Sequence, residues 1–441
     1  MTARVTVIGT GYLGVTHAVC MAELGYEVIG LDVDKVKVDS LNDGIVPFYE
    51  PDLEPLLRKH RDGDRVRFTT SYEEAAAFGD VHFLCVGTPQ RPDGYAADMR
   101  YVDAAVETLA PLLDRPVTVV GKSTVPVGTA ARLAARIVEL APAGEEVDLV
   151  WNPEFLREGF AVEDTLRPDR LVVGTTSARG EAIMRKIYAN LLDAGVPMVV
   201  TDYATAELVK VAANSFLATK ISFINAMAEV CEATGADVTA LAQAIGHDER
   251  IGRRFLNAGL GFGGGCLPKD IRAFMARAEE LGVESALTFL KEVDAINNRR
   301  RERMVDLTRE VLGGEFTGAR IGVLGAAFKP DSDDIRDSPA LDVAVRLREE
   351  GALVLVYDPK AIPNARVRYP SLDYADSAIE AVRDADVVVH LTEWREFREM
   401  DPATVGAVVR HRRVVDGRNV LDPVRWREAG WLYRALGRPE A

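Results

Sequence analysis

The run Val5-Thr6-Val7-Ile8 passes directly into Gly9-Thr10-Gly11-Tyr12-Leu13-Gly14, and little else in the chain restricts the fold as strongly. A short β-branched run reads as a strand. Val15 to Leu24 has helical composition, Gly25 closes it, and Tyr26 to Leu31 reads as a second strand ending at Asp32. Strand, GxGxxG, helix, strand and acid, in this order and spacing, predict a βαβ dinucleotide-binding unit. Gly9 permits the tight turn. Gly11 lets a pyrophosphate approach the helix N-terminus, where Tyr12 and Leu13 follow, and Gly14 allows helix and strand to pack closely. Asp32 is placed to accept hydrogen bonds from ribose hydroxyls, and its charge repels a 2′-phosphate, so NAD is expected over NADP.

Two more strands of this unit are legible. Asp80 to Val86 runs into Gly87-Thr88-Pro89, and Val117 to Val120 runs into Gly121-Lys122-Ser123-Thr124. Open α/β sheets bind ligands outside the carboxyl ends of their strands, so Val86, Gly87, Thr88, Ser123 and Thr124 are expected to border the dinucleotide. The order then recurs near the C-terminus: Arg320 to Gly325, Leu353 to Asp358, Ala385 to His390, and Arg413 to Gly417. This second copy lacks GxGxxG, because Ala326-Ala327-Phe328-Lys329-Pro330 follows Gly325. It is not expected to hold a dinucleotide in the usual way, although Lys329, Arg336 and Arg418 at its strand ends could meet phosphate.

Between the two copies, Ala204 to Thr234 lacks proline and glycine and reads as one long helix, apolar on nearly every side. Such a helix is expected to be buried, and it is a candidate dimer seam. Glu207, Lys210 and Asn214 nevertheless share one face, so a buried ammonium there needs a specific counterpart. The expected fold class is therefore α/β, with two Rossmann-like doubly wound domains joined by a central helical domain with a long helix. Their expected limits are 1–200, 201–300 and 315–441.

Composition adds exclusions. The formal net charge of −15 argues against nucleic acid, whose phosphates demand a basic surface. No apolar run approaches the ~20 residues of a membrane span. The N-terminus enters a strand directly, leaving no room for a signal peptide. Cys20, Cys85, Cys231 and Cys266 are far apart, so neither a disulfide framework nor a thiolate metal site is suggested. A cytoplasmic protein without metal is expected.

One cysteine differs from the others. Cys266 follows Gly261-Phe262-Gly263-Gly264-Gly265 and precedes Leu267-Pro268-Lys269-Asp270. The glycines are expected to leave the thiol open to a substrate. Pro268 suits a first helical residue, and Ile271 to Leu281 reads as the helix that follows. A sulfur beside helix N-terminal N–H groups and Lys269 is favoured as thiolate. The competing reading, a buried cysteine acting as a small hydrophobe, suits this polar stretch poorly.

Together with Asn152-Pro153-Glu154-Phe155-Leu156-Arg157-Glu158-Gly159, these motifs resemble the UDP-glucose/GDP-mannose dehydrogenases over essentially the full chain, and within them the branch acting on UDP-glucose. The resemblance implies that Cys266 is the nucleophile, with Lys210, Asn214, Asp270, Thr124 and Glu154 as catalytic neighbours. It implies NAD contacts at Lys37, Glu158, Lys269 and Arg336 besides the glycine turn. Substrate contacts are implied at Glu154, Phe155, Leu156, Arg157, Lys210, Asn214, Phe255, Leu256, Asn257, Gly259, Phe262, Gly263, Phe328, Lys329 and Arg418. Arg250 matches a position reaching the sugar nucleotide of a neighbouring subunit, which implies a homodimer or larger homo-oligomer. The substrate nucleotide is implied to sit with the central helices and the C-terminal domain. Phe216 stands where some relatives have tyrosine, so no hydroxyl role follows there.

The implied chemistry is oxidation of UDP-glucose to UDP-glucuronate, with removal of two hydrides and with thiohemiacetal and thioester intermediates on Cys266. Asp270 and Glu154 both remain candidates for activating the hydrolytic water. GDP-mannose is the alternative substrate. A two-electron hydroxyacid or 6-phosphogluconate-type dehydrogenase would need neither the thiol nor a second α/β domain. A non-catalytic NAD-responsive protein would have no use for Cys266, Lys210, Asn214 and Asp270 together.

Overall fold

Short runs rich in valine and isoleucine form two separate sheets. The computed structural model describes residues 3–440. Its first sheet contains β1 (Arg4–Ile8), β2 (Glu27–Leu31), β3 (Val66–Thr69), β4 (Val81–Leu84), β5 (Val117–Gly121), β6 (Val147–Trp151), β7 (Leu171–Gly174) and β8 (Met198–Thr201). They lie in the order β3-β2-β1-β4-β5-β6-β7-β8. The first six are parallel, β7 runs antiparallel to β6, and β8 is parallel to β7. β4, β5 and β6 are buried at every residue, as expected of parallel strands covered on both faces. Val5 and Val7 feed one core cluster and Ile8, Leu84 and Val119 another.

The second sheet contains β9 (Arg320–Leu324), β10 (Leu353–Tyr357), β11 (Asp373–Tyr374), β12 (Val387–His390), β13 (Arg413–Asp416) and β14 (Leu432–Ala435). Its order is β11-β10-β9-β12-β13-β14, parallel throughout. That order repeats the first six strands of the other sheet, so both are doubly wound in the same sense. The repeated strand pattern in the sequence thus corresponds to a repeated topology. By compactness the chain forms two units, Met1–Ala213 with Arg272–Gly282, and Asn214–Ile271 with Val283–Ala441.

The long helix spans Tyr203–Thr234, and Gly235 follows it with φ of 73°. A glycine in this left-handed conformation ends a helix without steric cost. Uniform burial, however, is not what the structure shows. Glu207, Lys210, Val211, Asn214, Ala218 and Asn225 are buried, while Leu208, Phe216, Phe223 and Val230 are exposed on the other side, Phe216 at 67%. The sequence had suggested no such sidedness, because both faces are rich in apolar residues and hydropathy alone does not tell them apart. Among the described residues, no helix is long and apolar enough to cross a membrane.

Candidate active site

The glycine turn fits a dinucleotide. Gly9 has φ of 90°, and a side chain on Gly14 would place Cβ 1.8 Å from the Gly9 carbonyl oxygen, so β1 and its helix can approach only with glycine there. A Cβ on Gly11 would meet nothing within 4 Å, which leaves room for a ligand. Gly11 is the N-cap of the helix Tyr12–Glu23 and has no side chain to cap it, as suits a helix N-terminus that receives a phosphate. Asp32, at the end of β2, accepts from Thr10 N (2.9 Å), Thr10 Oγ1 (3.0 Å) and Asp34 N (3.1 Å), and pairs with Lys37 Nζ at 2.9 Å. Burial pushes this carboxyl up, but Lys37 and the N–H groups outweigh burial and hold it below its ordinary range. Lys37 and Asp32 therefore meet each other at the site where both were expected to meet cofactor.

At the next two strand ends, Ser123 Oγ donates to Val86 O (2.7 Å) and Thr88 Oγ1 to Thr124 O (2.8 Å). These bonds join the segments Val86-Gly87-Thr88 and Ser123-Thr124, which follow β4 and β5 at the same end of the sheet as the glycine turn after β1. The equivalent aspartate of the second sheet is differently employed. Asp358 is buried, and its carboxylate accepts from the N–H groups of Ala326, Ala327, Lys360 and Ala361 and from Trp394 Nε1, at 2.8 to 3.0 Å. Five donors occupy the oxygens a ribose would need.

The polar stripe of the long helix finds its counterparts. Lys210 Nζ lies 3.2 Å from Glu154 Oε1, both side chains largely buried, and Glu154 Oε2 accepts from Leu156 N at 2.7 Å. The Phe155 ring packs against Lys210 Nζ at 5.5 Å and under the Arg170 guanidinium at 3.9 Å. Arg157, expected at the substrate, makes a bidentate pair with Asp164. Glu207 serves structure: it accepts from Gly128 N (2.8 Å) and Ala130 N (2.6 Å) and so caps the helix Thr129–Leu140. Burial pushes its carboxyl above the ordinary range.

In the second unit, Cys266 is exposed, whereas Cys20, Cys85 and Cys231 are buried. Burial pushes the thiols of Cys20 and Cys85 up to about 12. The helix runs Leu267–Glu280, with Leu267 rather than Pro268 as its first residue. Asp270 N donates to Cys266 O at 2.9 Å, so Cys266 occupies the N-cap position. Asp270, almost fully buried, accepts from Asn214 Nδ2 and from Lys269 Nζ, both at 2.6 Å and on different oxygens. The Asp270, Asn214 and Lys269 side chains thus form one hydrogen-bonded cluster, at the start of the helix that follows Cys266.

The glycines before the cysteine do not simply leave open space. A Cβ on Gly263 would lie 2.3 Å from Asp337 O, and one on Gly264 would lie 2.7 Å from the Phe328 ring. Beside Gly265 it would meet the Arg336 guanidinium. Glycine is needed here because the loop packs directly on the segment after β9. Its polar groups are matched individually. Asn297 makes both bonds to the Phe262 backbone (2.8 and 2.9 Å), Asn225 Oδ1 accepts from Gly259 N, and Asn419 Nδ2 donates to Ala258 O. Arg418 donates to Leu391 O, Gly261 O and Phe328 O, and lies 3.3 Å from Glu393. The loop, Phe328, Arg336 and Arg418 are therefore brought together. Phe255 has φ of 66° and Leu256 is buried, while Asn257 is exposed and bonded to Arg253. Arg250 stands out into solvent with Asp248. Asn225, Asn297 and Asn419 escaped sequence reasoning, since lone asparagines far apart in sequence carry no pattern.

A cofactor turn at one sheet and an exposed cysteine at a helix N-cap define a NAD-binding oxidoreductase with two Rossmann-type sheets. Residues 3–192 match the NAD binding domain of the UDP-glucose/GDP-mannose dehydrogenase family, 204–299 its central domain and 322–423 its UDP binding domain. The chain belongs to that family. It is similar to the UDP-glucose 6-dehydrogenase TuaD of Bacillus subtilis, 41% identical over 99% of this chain and 93% of that one. It is also similar to the UDP-glucose 6-dehydrogenase of Rhizobium meliloti, 41% identical over 99% of this chain and 100% of that one. A solved UDP-glucose dehydrogenase from Pyrobaculum islandicum superposes with a TM-score of 0.91 at 40% identity, covering 99% of this chain and 98% of that one.

Proposed function

We propose that this protein oxidises UDP-glucose at C6 to UDP-glucuronate, and that it does so in the cytoplasm. The observation carrying the reading is the thiol: one cysteine of four is exposed, at the N-cap of a helix whose Asp270 is bonded to Asn214 and Lys269. The names of the relatives support UDP-glucose over GDP-mannose.

When bound, NAD supplies the hydride acceptor, one hydride for each molecule. Converting a primary alcohol to a carboxylate removes two hydrides, so the aldehyde formed at C6 by the first loss must be retained. Cys266 Sγ attacks the aldehyde carbon, a C–S bond forms, and the oxygen takes a proton to give a thiohemiacetal. Loss of the second hydride and that proton leaves a thioester. Water attacks it, the C–S bond breaks, and the carboxylate departs from a restored thiolate. The Lys210 ammonium, held by Glu154, stabilises the oxyanion at C6 together with the Asn214 amide. Asp270 activates the water, and Thr124 helps to place it. Phe255 to Gly259, Phe328, Lys329 and Arg418 are the proposed substrate contacts.

The exposed strip Leu208, Phe216, Phe223 and Val230 supports assembly with a second copy of this chain, because monomers rarely leave such a row of large apolar residues in water. Arg250 is then the group proposed to reach the partner's substrate. Cys266→Ser tests the chemistry: acid formation should fall sharply while NAD binding persists. Normal turnover in that variant would remove the thiol from the mechanism.

A further inference from the structure

The expected cofactor site includes two pieces far apart in sequence, the glycine turn and the turn at Glu158-Gly159, and one buried carboxylate bonds to both. Glu50 is almost fully buried and lies between the second and third strands of the first sheet. Its Oε2 accepts from Gly159 N and its Oε1 from Ala161 N, each at 2.7 Å. The hydroxyl of Tyr12, the first residue of the helix after Gly11, also donates to Oε2. The Tyr12 ring packs on Phe48, from the same segment as Glu50, with centroids 4.9 Å apart. Gly159 has φ of 79°, a conformation that turns its N–H toward the carboxylate and that other residues rarely adopt.

We propose that Glu50 is a positioning residue for the cofactor, tying the turn that receives the pyrophosphate to the turn that carries Glu158. This rests on the reading that NAD occupies the glycine turn. A carboxylate suits the position because its two oxygens accept three donors. Glutamine would turn an NH2 group toward one of the two backbone N–H groups and leave that donor unmatched. Burial first, and then the Glu50 hydrogen bond, push the Tyr12 phenol upward, so it is an O–H donor at neutral pH. No sequence pattern marks Glu50, since its partners lie 38 and 109 residues away.

The test is titration of the full chain with NADH in the absence of sugar nucleotide, followed by nucleotide fluorescence, beside the melting temperature. Glu50→Gln should weaken NADH binding about tenfold, the worth of one charge-assisted hydrogen bond. Tyr12→Phe keeps the ring and should weaken it about threefold, the scale of a neutral hydrogen bond. The double variant should resemble Glu50→Gln, because both changes break one unit. Unchanged NADH affinity in Glu50→Gln, even with a lowered melting temperature, would overturn the proposal, as would effects that simply multiply. If Glu50→Gln does not fold, unchanged affinity in Tyr12→Phe has the same force. A wild-type chain that fails to bind NADH would instead refute the cofactor reading beneath it.

Discussion

Replacing Lys210 by methionine separates what its charge does for the fold from what it does for the reaction. The Lys210–Glu154 pair is 3.2 Å long, with side chains only 6% and 14% exposed. Methionine fills most of the lysine stem's volume but leaves the Glu154 carboxylate facing a partner without charge. Breaking a buried pair on one side costs about 3 kcal/mol, most of it the cost of the stranded charge. Lys210→Met/Glu154→Gln strands no charge, and its stability should return to within about 1 kcal/mol of wild type. Activity should not return, because no cation then faces the C6 oxygen; losing one such donor typically costs about 3 kcal/mol, or a hundredfold or more in kcat. Urea unfolding followed by tryptophan fluorescence reads the first quantity and NADH production the second. If the double variant regains activity along with stability, Lys210 is a structural residue. If Lys210→Met alone is as stable as wild type, the buried-pair argument fails.

Other outcomes follow from the same geometry. Asp270→Asn should slow thioester hydrolysis, so that mixing with NAD and UDP-glucose gives an NADH burst and a sugar adduct on Cys266 visible by mass spectrometry; full turnover without adduct would transfer the water-activating role to Glu154. Asp416 is fully buried, and burial raises its carboxyl, but the bond from His390 Nδ1 and the N–H groups of Arg418 to Leu421 outweigh burial and hold it below its ordinary range. A depressed folded-state pKa means that its stabilisation is present above the unfolded value of about 3.8 and fades as pH falls through the folded one. Asp416→Asn should therefore cost about 2 kcal/mol near pH 7 and progressively less toward pH 3, and a pH-independent difference would refute the assignment. Phe223→Glu should shift the assembly toward monomer in sedimentation, and an unchanged mass would exclude this face as the contact.

Much of the fold was legible because it is written locally. Val5 to Ile8 and its seven counterparts are short apolar runs, all but Ala385 to His390 ended by glycine or an acid, and a parallel strand buried on both faces needs little more. The equivalence of Asp32 and Asp358 was legible too, but not their divergence. Asp358 is saturated by five N–H groups from three separate segments, which no periodicity reveals. The glycines before Cys266 misled in an instructive way. Missing side chains permit close approach of a ligand or of another backbone, and only tertiary structure shows that Asp337 and Phe328 occupy that space. Glu207 shared a helix face with Lys210 and was therefore grouped with it, although its carboxylate caps a neighbouring helix. The exposure of Cys266 was legible because glycines, a lysine and an aspartate make poor material for an apolar pocket.

The count of NADH formed for each UDP-glucose consumed, measured with limiting sugar nucleotide and excess NAD, bears most directly on a thiol that retains the aldehyde through a second oxidation. Two NADH and one UDP-glucuronate are predicted. One NADH, with an aldehyde released to solution, would contradict the account.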